Sequence, residues 1–209
     1  KFIASEFGVN YGTERFGVKV SAYNTDWKDR NLTKSVSTGQ GSSGDTDIIF
    51  LTGVDQNHKG IEIETKVKPH DMVELDFIAS YGSWKFVGDA DGTYQEQEFN
   101  DDNQVIGVQT TDYSYALDGL WVGDMPQTSY ILGVTLKPIK GLRLQALYKT
   151  YDRNFADWSP DSREIEGDAD RTQVWEAPGY SKLDLHASYN LPSVAGLDLT
   201  LTGHIFNAL

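Results

Sequence analysis

Apolar and polar residues alternate one for one through short stretches of this chain, and the stretch Lys182–Leu191 shows it most plainly. Leu183, Leu185, Ala187, Tyr189 and Leu191 point one way, while Lys182, Asp184, His186, Ser188 and Asn190 point the other. Successive side chains of an extended strand face opposite sides of the sheet, so this spacing predicts a strand with one greasy and one wet face. The same period recurs at about 3–11, 16–27, 60–68, 72–86, 129–137, 142–154, 180–191 and 197–207. In the third segment Ile61, Ile63, Thr65 and Val67 oppose Glu62, Glu64, Lys66 and Lys68; in the fourth Val73, Leu75, Phe77, Ala79 and Tyr81 oppose Glu74, Asp76 and Ser80. No helical period competes with it.

The connections carry as much information as the strands. Gly12–Arg15, Pro69–Asp71, Pro138–Gly141 and Pro192–Gly196 read as short turns, with Pro or Gly supplying the backbone angles. Between them lie long loops at about 28–59, 87–128 and 155–179. Loops beyond about 12–15 residues are uncommon in compact domains, and three alternating with tight turns are rarer still. Together these features predict an all-β fold: an antiparallel, up-and-down transmembrane β-barrel wall of about eight strands, with short turns at one end and long extracellular loops at the other. Two other architectures share the alternation. One is a small self-contained eight-stranded outer-membrane barrel with an adhesive, structural or enzymatic role; the other is a soluble β-domain that binds a ligand in its core.

Composition narrows the function classes. Mean hydropathy is −0.45 and no run of 18 apolar residues exists, which removes a transmembrane helix but not a barrel, since a barrel strand needs apolar residues only at alternate positions. There is no cysteine, hence no disulfide framework and no thiolate metal site. The formal net charge of −13 is sorted by side. Stretch 87–128 holds Asp89, Asp91, Glu96, Glu98, Asp101 and further acids without one Lys or Arg, whereas the short-turn end collects Arg15, Lys66, Lys68, Lys137, Lys140 and Arg143. An acidic surface of this kind excludes nucleic acid as a partner. The chain opens at Lys1 without a leader and stops inside an alternating segment, so it is read as a piece of a larger protein.

Candidate chemistry is sparse. No nucleophile elbow, zinc-protease helix motif or phosphate loop is present, and no catalysis is expected. His186 and His204 lie on wet faces of strands expected to be neighbours, where they read as wall residues or, less readily, as a metal pair. Gly88-Asp89-Ala90-Asp91 recurs as Gly167-Asp168-Ala169-Asp170, each in a long loop. Asp89, Asp91, Asp168 and Asp170 are therefore candidate Ca²⁺ ligands, the one cofactor the sequence offers, although the glycine spacing departs from the EF-hand and plain loop solvation accounts for the same residues. Tyr11, Phe16, Tyr81, Tyr130, Tyr148 and Tyr189 sit on apolar faces in the manner of an aromatic girdle at the lipid interface. Tyr94, Phe99, Trp121, Phe155, Trp158 and Trp175 lie in the long loops, placed either to grip a ligand or to pack the loops together.

Three passages carry a family resemblance: residues 5–30, residues 58–86 with Gly60-Ile61-Glu62-Ile63-Glu64, Pro69 and Ser80-Tyr81-Gly82-Ser83-Trp84, and residues 180–209 with Leu183–Tyr189 and Asn207. In order and spacing they resemble the C-terminal β-barrel of TonB-dependent outer-membrane receptors. The resemblance implies a complete barrel of 22 strands filled by an N-terminal plug in a bacterial outer membrane. It also implies uptake of a scarce ligand (siderophore, cobalamin, haem, saccharide or peptide) driven by the TonB complex through that plug. Partners would be outer-membrane lipid, TonB and the ligand. The chain departs from the full pattern: it shows no plug, no TonB box and no final strand ending in an aromatic residue.

Overall fold

The computed structural model describes residues 1–37, 46–102, 104–165, 170–193 and 196–209, apart from the side chains of residues 36, 37, 46, 47, 96, 97 and 99. The strands are β1 (Phe2–Gly12), β2 (Phe16–Ser37), β3 (Thr46–His70), β4 (Val73–Phe86), β5 (Ala90–Phe99), β6 (Val105–Tyr115), β7 (Pro126–Leu136), β8 (Leu142–Phe155), β9 (Glu176–Ala177), β10 (Tyr180–Asn190) and β11 (Thr200–Ile205). Eight of them form one antiparallel wall in the order β1-β2-β3-β4-β7-β8-β10-β11. Neighbours in the wall are neighbours in the chain, apart from the small inserts β5, β6 and β9.

Register keeps the two kinds of side chain apart. Phe16, Val67, Leu75, Val134, Ala146, Leu185 and Ile205 stand directly opposite one another across seven strands. On the other face Glu74, Thr135, Gln145, His186 and His204 form a row of the same kind. Burial is inverted relative to a water-soluble domain. Leu75 and Leu185 are 37% and 36% exposed, whereas their neighbours Glu74 and Asp184 are 7% and 5% exposed. Phe7, Ile61, Phe77, Leu132 and Leu201 are exposed on the apolar face, while Ser21 and Thr135 are buried on the polar one. A soluble domain with these side chains outward would leave a large apolar patch in water; a membrane wall leaves them in hydrocarbon. Outward residues of β4 run from Val73 to Tyr81, about 27 Å of strand, which at a tilt of about 40° and with side-chain reach covers a band of about 25 Å.

Turn chemistry fixes the short end. Thr13 Oγ1 accepts from the amides of Arg15 and Phe16 at 3.4 and 3.0 Å, closing the β1–β2 turn. Gly141, at φ 85° before β8, leaves no room for a Cβ, which would lie 2.7 Å from the carbonyl oxygen of Asn190. Among the described residues the sheet is open: β1 and β11 each pair on one side only. In hydrocarbon an unpaired strand edge costs several kcal/mol per backbone group, so the wall requires further strands on both flanks. That geometry does not fit the self-contained eight-stranded barrel.

The long end differs from the expectation of loops at 28–59, 87–128 and 155–179. Most of 28–59 continues β2 and β3, and 87–128 contains the β5–β6 hairpin, which pairs with β3 through Phe50–Thr52 and Asp91–Thr93. The described residues of 156–179 form no long strand: they hold a 3₁₀ turn at Pro160–Ser162, the isolated bridge of Glu164 to Tyr115 and the short β9. The strands escaped the pattern because bulges break the two-residue period. Register slips between Trp27 and Arg30 and between Arg30 and Leu32, with Asp29 at φ 53° and Gly53 at φ 65°.

Candidate functional site

The hydrophobic core of the described residues lies in this long end and not in the wall. Leu51 and Val54 of β3, Phe86 of β4, Tyr115 of β6, Leu117 and Trp158 are buried together. The β3 bulge at Gly53 re-aims Leu51 onto the face that Val54 already shares with Gln56, and so into this cluster. Burial pushes the Tyr115 hydroxyl up to about 12, with the nearby Glu164 carboxylate adding to the shift. Gln127 serves as a surrogate strand edge where β7 has only begun. Its Oε1 accepts from the Trp84 amide at 2.9 Å, and its Nε2 donates to the carbonyls of Trp84 and Val122 at 3.2 and 3.1 Å.

Asp89 ties two long stretches to each other. Arg171 donates to both of its carboxylate oxygens at 3.0 and 2.7 Å, and the amides of Leu117 and Asp118 donate to Oδ1 at 3.0 and 3.1 Å. The Arg171 guanidinium, with those two amides, holds the Asp89 carboxyl at about 2 against an ordinary 3.8. Lys34 of β2 pairs with Asp157 and donates to the Trp158 carbonyl at 3.3 Å, so β2 is fastened to the same assembly.

On the inner face just below this cap, an open concavity of about 450 Å³ is lined by Tyr23, Trp27, His58, Trp84, Glu6 and Glu62, with Phe2 and Thr25 at its edge. Its aromatic groups are fixed before any ligand arrives. Trp84 Nε1 donates to the Tyr23 hydroxyl at 3.0 Å, and His58 stacks on Trp84 with ring centres 5.4 Å apart. Gly60 makes this possible, since a Cβ there would lie 2.6 Å from Tyr23 Oη and 2.7 Å from the Tyr81 carbonyl oxygen. Phe2 packs on Trp27 at 4.6 Å, and the Arg30 guanidinium covers the same indole and donates to Gln56. Sequence reading singled out none of these residues as binding candidates, although Gly60, Glu62 and Trp84 carried part of the family resemblance. Tyr23 and Trp84 fall on wet faces of expected strands, where aromatic residues are the signal that could have found them, whereas His58 falls in the expected 28–59 loop.

The residues chosen from sequence divide. Phe155 and Trp158 are buried and pack the loops, and Trp121 lies flat on Phe155 with ring centres 5.1 Å apart. Tyr94 is partly buried against the same core, while Trp175 is 68% exposed. The Phe99 side chain lies outside the described residues, as does Asp168. Asp89 does not present a free carboxylate to a cation, because Arg171 already neutralises it. Asp91 accepts from the Ser114 hydroxyl at 2.9 Å and Asp170 from the Thr172 amide at 2.9 Å. Among the described residues no group of three or more metal-capable side chains gathers. His186 and His204 do meet across the β10–β11 pair, Nδ1 to Nδ1 at 2.8 Å.

No curated protein and no solved structure matches the chain. The family model described as TonB dependent receptor-like, beta-barrel matches residues 4–208, and the chain therefore belongs to the TonB-dependent receptor β-barrel family.

Proposed function

We propose that this chain forms wall and extracellular loops of a bacterial outer-membrane receptor that captures a scarce ligand and imports it by a TonB-dependent step. The observation that carries the reading is the inverted burial: apolar residues exposed on one face, Glu74, Thr135 and Asp184 buried on the other. A wall of that kind separates hydrocarbon from a polar lumen, and membership of the receptor family gives the lumen a purpose. No step of bond-making is involved, so the work of this segment is binding and passage.

The aromatic concavity on the inner face, together with Trp175 and Tyr94 of the cap, supports ligand capture at the mouth. Charge favours some ligand classes over others. Stretch 87–128 is acidic and holds no Lys or Arg of its own, and Glu6 and Glu62 line the concavity, so a neutral or cationic ligand such as a saccharide, a peptide or cobalamin approaches more readily than a strongly anionic siderophore. Energy coupling belongs to a plug that would occupy the lumen and contact TonB.

The test uses the full-length receptor in whole cells. Accumulation of radiolabelled candidates (cobalamin, a ferric siderophore, oligosaccharides, oligopeptides) is measured with and without the receptor, and with and without TonB. The reading expects one class to accumulate only when receptor and TonB are both present. Accumulation that persists without TonB would mark a passive pore and overturn it.

A further inference from the structure

We propose that the outer face, just above the apolar band, docks the phosphate-bearing headgroup of an outer-leaflet lipid on Lys85 and Arg153. The inference rests on the outer-membrane reading above. Tyr81 is the last outward apolar residue of β4, and Lys85 stands four residues further along the same face, roughly 10 Å higher at a typical strand tilt and so at headgroup depth.

The two cations converge on one indole. Lys85 Nζ lies 4.2 Å from the Trp121 ring centre and Arg153 Cζ 4.8 Å from it, and Arg153 also covers the exposed Tyr81 ring at 4.8 Å. Phe155 stacks on Trp121 and holds it in place. Simple alternation would send Arg153 inward with Tyr151. A φ of 53° turns it outward instead, and its NH1 donates to the Gly82 carbonyl at 2.7 Å. That left-handed conformation is costly for arginine and is maintained here for a side chain with no anionic partner among the described residues.

Among the described residues, neither the cations nor the carboxylates of this rim form ion pairs. Asp26 accepts from Asn57 at 2.7 Å and Asp152 from the Arg153 amide at 2.9 Å, so these carboxylates are capped by neutral donors. Among the described residues neither Lys85 nor Arg153 forms an ion pair, nor does Lys59, which is exposed beside Ser83 on the same face. Two cations that share one indole at the upper edge of a lipid-facing band, unpaired among the described residues, fit a phosphate monoester on a lipid, which the guanidinium can bind through two N–H groups and the ammonium as a point charge.

The test takes the full-length receptor in non-ionic detergent micelles and titrates it with bis-phosphorylated lipid A and with the same lipid A dephosphorylated. Bound lipid is counted by native mass spectrometry. The phosphorylated form is expected to be retained about thirtyfold better, and the double variant Lys85→Gln/Arg153→Gln to lose that preference. If the double variant does not migrate as a folded, heat-modifiable barrel, Lys85→Gln alone is expected to lose about fivefold while Lys85→Arg loses nothing. Equal retention of both lipids by the unmodified receptor, or an undiminished preference in the Gln variants, would overturn the site. Fractionation reads out the underlying assignment separately: a receptor absent from the outer membrane fails that assignment, and one present there without the preference fails only the headgroup site.

Discussion

Asp89 shows how one residue's chemistry is decided by its partners and not by its type. A carboxylate in an acidic loop looks like a cation ligand, but Arg171 meets it through two bonds and two backbone amides complete its shell. Its carboxyl titrates at about 2 in the folded cap against an ordinary 3.8, so its contribution is complete above about pH 4 and disappears as pH falls through about 2. Hydrogen exchange at the Leu117 and Asp118 amides, corrected for intrinsic rates, is expected to accelerate over that window. Asp89→Asn is expected to give the faster exchange already at pH 7, by roughly fivefold after allowance for solvent screening. Unchanged exchange in the variant would mean that Arg171 does not fasten these loops. Trp158 tests the packing itself. Its side chain is buried against Phe86 and Tyr115, so Trp158→Ala is expected to loosen the cap by about 3–5 kcal/mol while leaving the wall assembled. Protease nicking confined to the long stretches, with an intact heat-modifiable barrel, would be the signature.

At the scale of elements, the wall obeys alternation and the cap does not. Leu132 lies on the outward row with Phe77 and Tyr148, and Ser80 lies on the inward row with Glu62 and Ser129. Leu132→Arg is therefore expected to destabilise the barrel by about 2–4 kcal/mol, as a cation deep in the lipid band does, and Ser80→Arg to be tolerated. Equilibrium unfolding of the full-length receptor in lipid vesicles reads the difference, and equal effects at both positions would contradict the assigned faces. The same contrast explains what was legible in the sequence. Segments such as 72–86 and 180–191 declared themselves because hydrocarbon on one side and water on the other impose strict alternation. Above the membrane both faces of β2 and β3 meet water or the cap, nothing enforces the period, and the bulges at Asp29 and Gly53 shift it. The β5–β6 hairpin was hidden by its acidic, polar sequence. Among the loop aromatics the pattern offered gripping or packing as alternatives. Burial assigns Phe155 and Trp158 to packing and leaves Trp175 at the surface. The inner-face group Tyr23–His58–Trp84 was illegible because its members are far apart in sequence and are brought together only by the β2–β3–β4 register.

At the scale of the molecule, the charge distribution and the open sheet edges describe a wall that works as part of something larger. Acidic residues gather at the capped end and basic ones at the short turns, where Glu74 is ringed by Lys66, Lys68 and Lys137. All of this depends on which face meets lipid. The chain contains no cysteine, so single cysteines placed in it within the full-length receptor, any native ones removed, can carry a spin label. Labels at 75, 76, 77, 78, 79 and 80 of β4, in a reconstituted bilayer, are read by their collision rates with oxygen and with a water-soluble nickel chelate. The account predicts a two-residue period: positions 75, 77 and 79 accessible to oxygen and shielded from nickel, and positions 76, 78 and 80 the reverse. Positions 75, 77 and 79 shielded from both reagents would place them in a packed interior and contradict the account.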